Sequence, residues 1–331
     1  MAYRNAGQQT RRRPNSRPVL SEDELHAAHV VTTRTTRTTR MSRSFCIGRL
    51  ISILITTFWL GCVQTLLVRL PGSGKIRLAR FYWASVARIL GLKVRVVGQP
   101  AGGIRTAKDV QNGARPVVYV ANHTSWLDIA TMGGVIPTVF VAKGEVSGWP
   151  LIGIVSRLGR SIFVSRNRQN TGRELEDMSA RLWAGDDIML FPEGTSSDGT
   201  RVLPFLSSFF AVAKPGRLEQ AGMPKPPPVL IQPVSLVYDR LEGLPVGRMR
   251  RKVFSWFGDM DLAPHVWAFG QWRTMRATVL FHPPIDPEKF RSRKVLAQEA
   301  YKIVENGATE IRRGRVGRAP GGEAVIGENR P

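Results

Sequence analysis

The sequence predicts an α/β fold, a mostly buried central sheet flanked by helices, with an N-terminal membrane-embedded helical hairpin. Three observations lead there. An uncharged apolar run of bilayer-spanning length, Leu50–Val68, sits between Arg49 and Arg69 and precedes an amphipathic stretch. From Lys93 onward, short apolar runs alternate with helical ones. The formal net charge of +23 gathers around the apolar run, whereas a nucleic-acid-binding domain would interleave it with aromatics in the soluble part.

Residues 1–44 are rich in Arg, Thr, Ser, Gln and Asn, include TTRTTRTTR and lack apolar periodicity, so they read as a disordered basic tail. The apolar run starts too late for a cleaved signal peptide, and no A-x-A site follows it. Residues 45–92 read as a helix-turn-helix anchor. Its first helix is Leu50–Val68 and its turn is Pro71–Gly74. Its second helix, Lys75–Leu90, places Leu78, Phe81, Tyr82, Val86 and Ile89 near one face, with Lys75, Arg77, Arg80 and Arg88 around it. Either both helices lodge in one leaflet or the first spans. No Asp or Glu occurs between Leu25 and Lys108, while 14 Lys and Arg fall there, which suits an anionic lipid surface. The two cysteines, Cys46 and Cys62, form neither a disulfide framework nor a metal-ligand pattern.

Residues 93–312 read as the catalytic domain. Candidate strands are Val94–Val97, Pro116–Ala121, Thr138–Ala142, Ser161–Ser165, Asp187–Phe191, Val229–Val237 and Thr278–Phe281. Candidate helices are Leu127–Gly133, Thr171–Ala184, Ser207–Ala213 and Arg291–Arg312. Met223–Pro228 is a rigid linker, and the Gly- and Arg-rich residues 313–331 form a second disordered tail.

Three blocks carry chemistry. Asn122-His123-Thr124-Ser125-Trp126-Leu127-Asp128 follows a strand and opens a helix. A histidine suits general-base work near neutral pH, and a carboxylate five residues on can fold back to orient it. The same spacing also describes simple N-capping. Ser125 lies two residues from His123 without nucleophile-elbow glycines, so it reads as a turn serine. Gly159–Arg166 ends a strand on Arg166, a clamp suited to an anionic head group. Phe191-Pro192-Glu193-Gly194-Thr195-Ser196 shapes a strand-end turn around a carboxylate.

These blocks, in this order and followed by Gln232-Pro233-Val234-Ser235, resemble the glycerolipid acyltransferase family, which includes bacterial 1-acylglycerol-3-phosphate acyltransferases. The resemblance covers about Lys93 to Pro284. It implies catalytic roles for His123 and Asp128 and substrate-binding roles for Lys143, Arg166, Glu193, Gly194, Thr195 and Ser196, with Pro233 in the fourth block. It implies no metal and no bound organic cofactor. The donor would be an acyl carrier protein or coenzyme A thioester, the acceptor a membrane lysolipid, and nucleic acid no partner. The place would be a bacterial inner membrane, with the catalytic domain on its cytoplasmic side. Many relatives that acylate lysophosphatidic acid carry Arg where this chain has Ser196. That departure, with Trp256–His265, is similar to the branch acylating lyso-ornithine lipids. The breadth of the family ranks lysophosphatidic acid first as acceptor, with lyso-ornithine lipid as the alternative. A basic membrane- or nucleic-acid-binding protein is the non-enzyme alternative.

Overall fold

The computed structural model describes residues 43–164, 171–214 and 225–316. The expected tails fall almost entirely outside these residues, as do Arg166 and the start of the 223–228 linker. From α1 (Arg43–Arg69) onward the described residues form one compact unit. In chain order there follow α2 (Gly74–Ile89), β1 (Leu92–Val97), α3 (Ala107–Gln111), β2 (Val117–Ala121), α4 (Leu127–Val135), β3 (Val139–Lys143) and α5 (Ile152–Leu158). Then come β4 (Ile162–Val164), α6 (Thr171–Trp183), β5 (Ile188–Leu190), β6 (Leu230–Leu241), β7 (Leu244–Pro245), α7 (Leu262–Gly270), β8 (Met275–Phe281) and α8 (Arg293–Arg312).

The sheet runs β1-β8-β6-β2-β5-β3-β4, with the short β7 paired to β6. β6, β2, β5, β3 and β4 are mutually parallel; β8 runs antiparallel to β6 and carries β1 parallel to itself. Both faces are covered, which is why β2 reads VVYVA without a polar residue facing water. The two-residue period of a strand sends Val117, Tyr119 and Ala121 to a core shared with α2 and α4. It sends Val118 and Val120 to a second core built from α6 and α8. Helix α2 approaches α4 closely because Gly133 has no side chain: a Cβ there would lie 2.5 Å from the Trp83 ring. At the amino edge of β5, the buried Asp187 pairs with Arg105 at 2.6 Å and also accepts from the Val117 and Gly103 amides. Burial lifts its carboxyl to about 6.

All seven expected strands are present, with ends shifted by a few residues. The expected helix Ser207–Ala213 is instead a single 3-10 turn, Ser207–Phe210. Phe210, Ala211 and Val212 are consecutive and all buried, which one helix face cannot supply. The seven-residue α5 and nine-residue α7 carry too few turns for a clear 3.6-residue period.

Helix α1 is long and apolar enough to cross a membrane, about 40 Å by its rise per residue. Its inward face, however, is polar: Cys46, Arg49, Thr57 and Gln64. Arg49 donates to the carbonyls of Gly270, Trp272 and Arg273, where α7 ends. Thr57 meets the Tyr82 hydroxyl of α2 at 3.0 Å. Gln64 donates to the carbonyls of Lys75 and Leu158, on α2 and α5. The helix is therefore fastened along its length, and Ile51, Leu54, Ile55, Phe58, Trp59 and Leu66 face outward.

Candidate active site

Parallel strands bring their carboxyl ends to one edge, and loops leaving that edge are where ligands bind in open α/β sheets. His123 leaves β2 there, Glu193 leaves β5, and Lys143 ends β3. Sequence separation of up to 70 residues disappears because β2 lies beside β5.

The β2–α4 turn is closed by Asp128, which is fully buried. Its Oδ2 accepts from the Thr124 and Ser125 amides at 2.7 and 3.0 Å and meets His123 Nδ1 at 2.7 Å. Its Oδ1 accepts from the Tyr238 hydroxyl at 2.6 Å. A carboxylate facing Nδ1 holds the proton there and turns Nε2 outward as an acceptor. The His123 side chain is 21% exposed, and among the described residues Nε2 has no hydrogen-bond partner. Its ring stacks on Phe191, centroids 4.2 Å apart, which restricts imidazole rotation. Ser125 is buried and accepts from the Leu127 amide, the turn role expected of it.

Glu193, expected to face substrate, points inward. One oxygen accepts from the His123 amide at 2.8 Å and the other from the Leu203 amide at 3.0 Å. Burial lifts this carboxyl to about 7, against the pull of the two amides. It ties the strand-end turn after β5 to the one after β2. Gly194 takes φ +70°, a left-handed conformation that glycine adopts without a Cβ clash. Ser197 completes the tie, its amide donating to the His123 carbonyl at 2.9 Å. Gly194 and Thr195 are exposed at this turn and Ser196 is half-buried. Lys143 is exposed at its strand end, and Pro233 sits within β6 opposite Val120 of β2. The stretch after Phe254 also borders the site: the Trp256 amide donates to the Thr124 carbonyl, and His265 accepts from the Trp126 indole. Burial lowers the His265 imidazole below its ordinary value, so it accepts as a neutral ring.

Sequence reasoning quoted Phe191 and Ser197 within a block without giving them a role, and did not single out Tyr238. Tyr238 left one signal: a tyrosine inside a largely buried strand needs a partner for its hydroxyl. Among the described residues no group of His, Cys, Asp and Glu could hold a metal ion. The constellation is suited to taking a proton from a hydroxyl.

A family model described as Acyltransferase matches residues 104–237. Over 236 residues the chain is 36% identical to the lyso-ornithine lipid O-acyltransferase of Brucella abortus (strain 2308), covering 71% of this chain and 83% of that one. It is 34% identical over 246 residues to that of Rhizobium meliloti (strain 1021), covering 73% and 78%. Against the 1-acyl-sn-glycerol-3-phosphate acyltransferase of Neisseria gonorrhoeae it is 35% identical over 113 residues, covering 33% and 42%.

Proposed function

The chain belongs to the glycerolipid acyltransferase family and is an acyltransferase of the lysolipid-acylating type, and from that premise we propose that it is a lyso-ornithine lipid O-acyltransferase. The observation that carries this reading is the extent of likeness. Similarity runs through 83% and 78% of two lyso-ornithine lipid enzymes, against 42% of the Neisseria enzyme. The breadth of the family had put lysophosphatidic acid first; extent of likeness reverses that order, and Ser196 agrees with the reversal. An ornithine head group bears a carboxylate beside an ammonium, so it asks less of a bidentate Arg than a phosphate does.

In this reading His123 Nε2 removes the proton of the acceptor hydroxyl as that oxygen attacks the thioester carbonyl carbon. The carbon–sulfur bond then breaks, the thiol leaves with the proton held by the imidazolium, and an ester remains. Asp128 keeps the imidazole in the tautomer this requires. Ser125 is fully buried and supplies no nucleophile, in keeping with direct transfer. Glu193 braces the turn rather than touching substrate. Lys143 and Arg166 attract the anionic substrates, an acyl carrier protein or coenzyme A thioester among them. Residues 45–92 serve as the anchor to residues 93–312. With its polar face bound to protein, α1 lies in one leaflet rather than spanning. An open apolar groove of about 440 Å³ along α1, α2 and α5, edged by the outward-facing Leu54 and Phe58 and lined by Leu78, Tyr82, Ile154 and Leu158, suits a hydrocarbon chain.

The test is competition. Purified full-length chain in lipid vesicles receives labelled acyl thioester with lyso-ornithine lipid and lysophosphatidic acid together. Preferential ornithine lipid formation is expected; preferential phosphatidic acid formation overturns the acceptor, and no product with either overturns the reading.

A further inference from the structure

Two arginines converge beside the catalytic turn, and neither is ion-paired among the described residues. Arg312 ends α8, and Arg251 lies in the basic turn Arg248–Val253 after β7. Both line a cavity of about 20 Å³ with Thr124, Gly199, Tyr238 and Ser255, room for one water-sized oxygen. Thr124 follows His123, and its amide is one of the donors holding Asp128. Among the described residues neither guanidinium makes an ion pair, and Arg312 Nε is buried with no hydrogen-bond partner.

The nearby acids do not fill this need. Glu193, Asp198 and Glu305 attract Arg312 only from beyond ion-pair distance. Both Glu193 oxygens are taken by amides, and Asp198 caps Thr200. Burial, and then the like charge of Arg251, pull the Arg312 guanidinium below its ordinary value. Two partly desolvated like charges without an anion cost free energy, and an oxyanion bridging them repairs that.

We propose that Arg251 and Arg312 bind one oxygen of an oxyanion, the carboxylate or phosphate of the acceptor head group, at the cavity beside Thr124. This rests on the reading of the acceptor as an anionic or zwitterionic lysolipid. The acceptor fits better than the donor because its charged group lies a few bonds from the reacting hydroxyl. The phosphates of a thioester donor lie at the far end of its pantetheine arm.

Steady-state kinetics on the detergent-purified full chain test this with lyso-ornithine lipid and lysophosphatidic acid in separate arms. Arg251→Gln and Arg312→Gln are expected to raise the acceptor KM about tenfold or more, with kcat and donor KM within about twofold. The arm with the larger change identifies the oxyanion. Arg313→Gln, at a residue that pairs with Glu310 outside the cavity, should match wild type. An unchanged acceptor KM in both variants, or a shift in donor KM instead, overturns the site. A second measurement needs no turnover. Inorganic phosphate should raise the thermal midpoint of wild type above its value in chloride at equal ionic strength, and should not do so for Arg312→Gln or Arg251→Gln. Equal phosphate responses in wild type and variants also overturn it. If wild type acylates neither lysolipid, the proposed function fails and the phosphate response decides the site.

Discussion

Tyr238→Phe isolates the hydrogen bond that no motif announces. The substitution removes one oxygen and keeps the ring, which stacks on Phe254 at 4.9 Å and 8°. Burial, and then the Asp128 charge, push the Tyr238 hydroxyl well above the ordinary tyrosine value, so it remains a donor at any working pH. The bond to Asp128 Oδ1 is 2.6 Å and charge-assisted, a class worth about 1.5–3 kcal/mol. Asp128 keeps its two amides and His123, so the turn should still fold. It loses the only donor on Oδ1 among the described residues, and the carboxylate gains freedom to rotate away from Nδ1. If half of the bond's worth is felt in the transition state, about 1.5 kcal/mol at the upper end, kcat falls about tenfold. The Tyr238 hydroxyl is already committed to Asp128, so the loss should fall on kcat and not on the acceptor KM. Initial rates with labelled acyl thioester, alongside urea melts of both proteins, give the split. A kcat within twofold of wild type beside a lowered melt midpoint would show that the bond serves folding alone.

Three further outcomes are expected. His123→Ala should lower acyl transfer at least ~100-fold at unchanged membrane abundance, and activity near wild type would remove His123 from the mechanism. Burial lifts the Glu193 carboxyl from 4.5 to about 7, so between those values the folded chain holds a proton that the unfolded chain has released. Stability therefore falls as pH rises through that window, and thermal midpoints of Glu193→Gln should lose part of this slope; parallel curves would contradict the assignment. Ser196→Arg should raise the preference for lysophosphatidic acid over lyso-ornithine lipid about ten- to a hundredfold, and an unchanged ratio would mean that residue 196 does not face the head group.

What the sequence disclosed follows the range of the forces involved. Strands buried on both faces announce themselves as uninterrupted apolar runs, so β2 and β5 were legible. The His123–Asp128 contact was legible because five residues of one turn make it. Contacts between distant segments were not. Nothing near Glu193 says that its partner is the His123 amide, since that depends on β5 lying beside β2. Tyr238 reaches Asp128 across 110 residues for the same reason. Composition likewise showed an apolar α1 but not which way it turns, because Arg49, Thr57 and Gln64 find their partners on three other helices and the segment after α7.

If α1 anchors the chain as proposed, its fastening also bears on the response to bilayer thickness. A spanning helix must tilt or stretch its surroundings when its apolar length and the hydrocarbon thickness differ, at fractions of a kcal/mol per Å. A helix tied to the globular body at Arg49, Thr57 and Gln64 has no independent tilt, and in the one-leaflet reading proposed above its outward face would meet only one layer of acyl chains. The depth of His123 is then set by the rigid body and not by the far side of the bilayer. Changing the length of the host lipids should leave turnover nearly constant, while changing the packing of the one layer it enters should not.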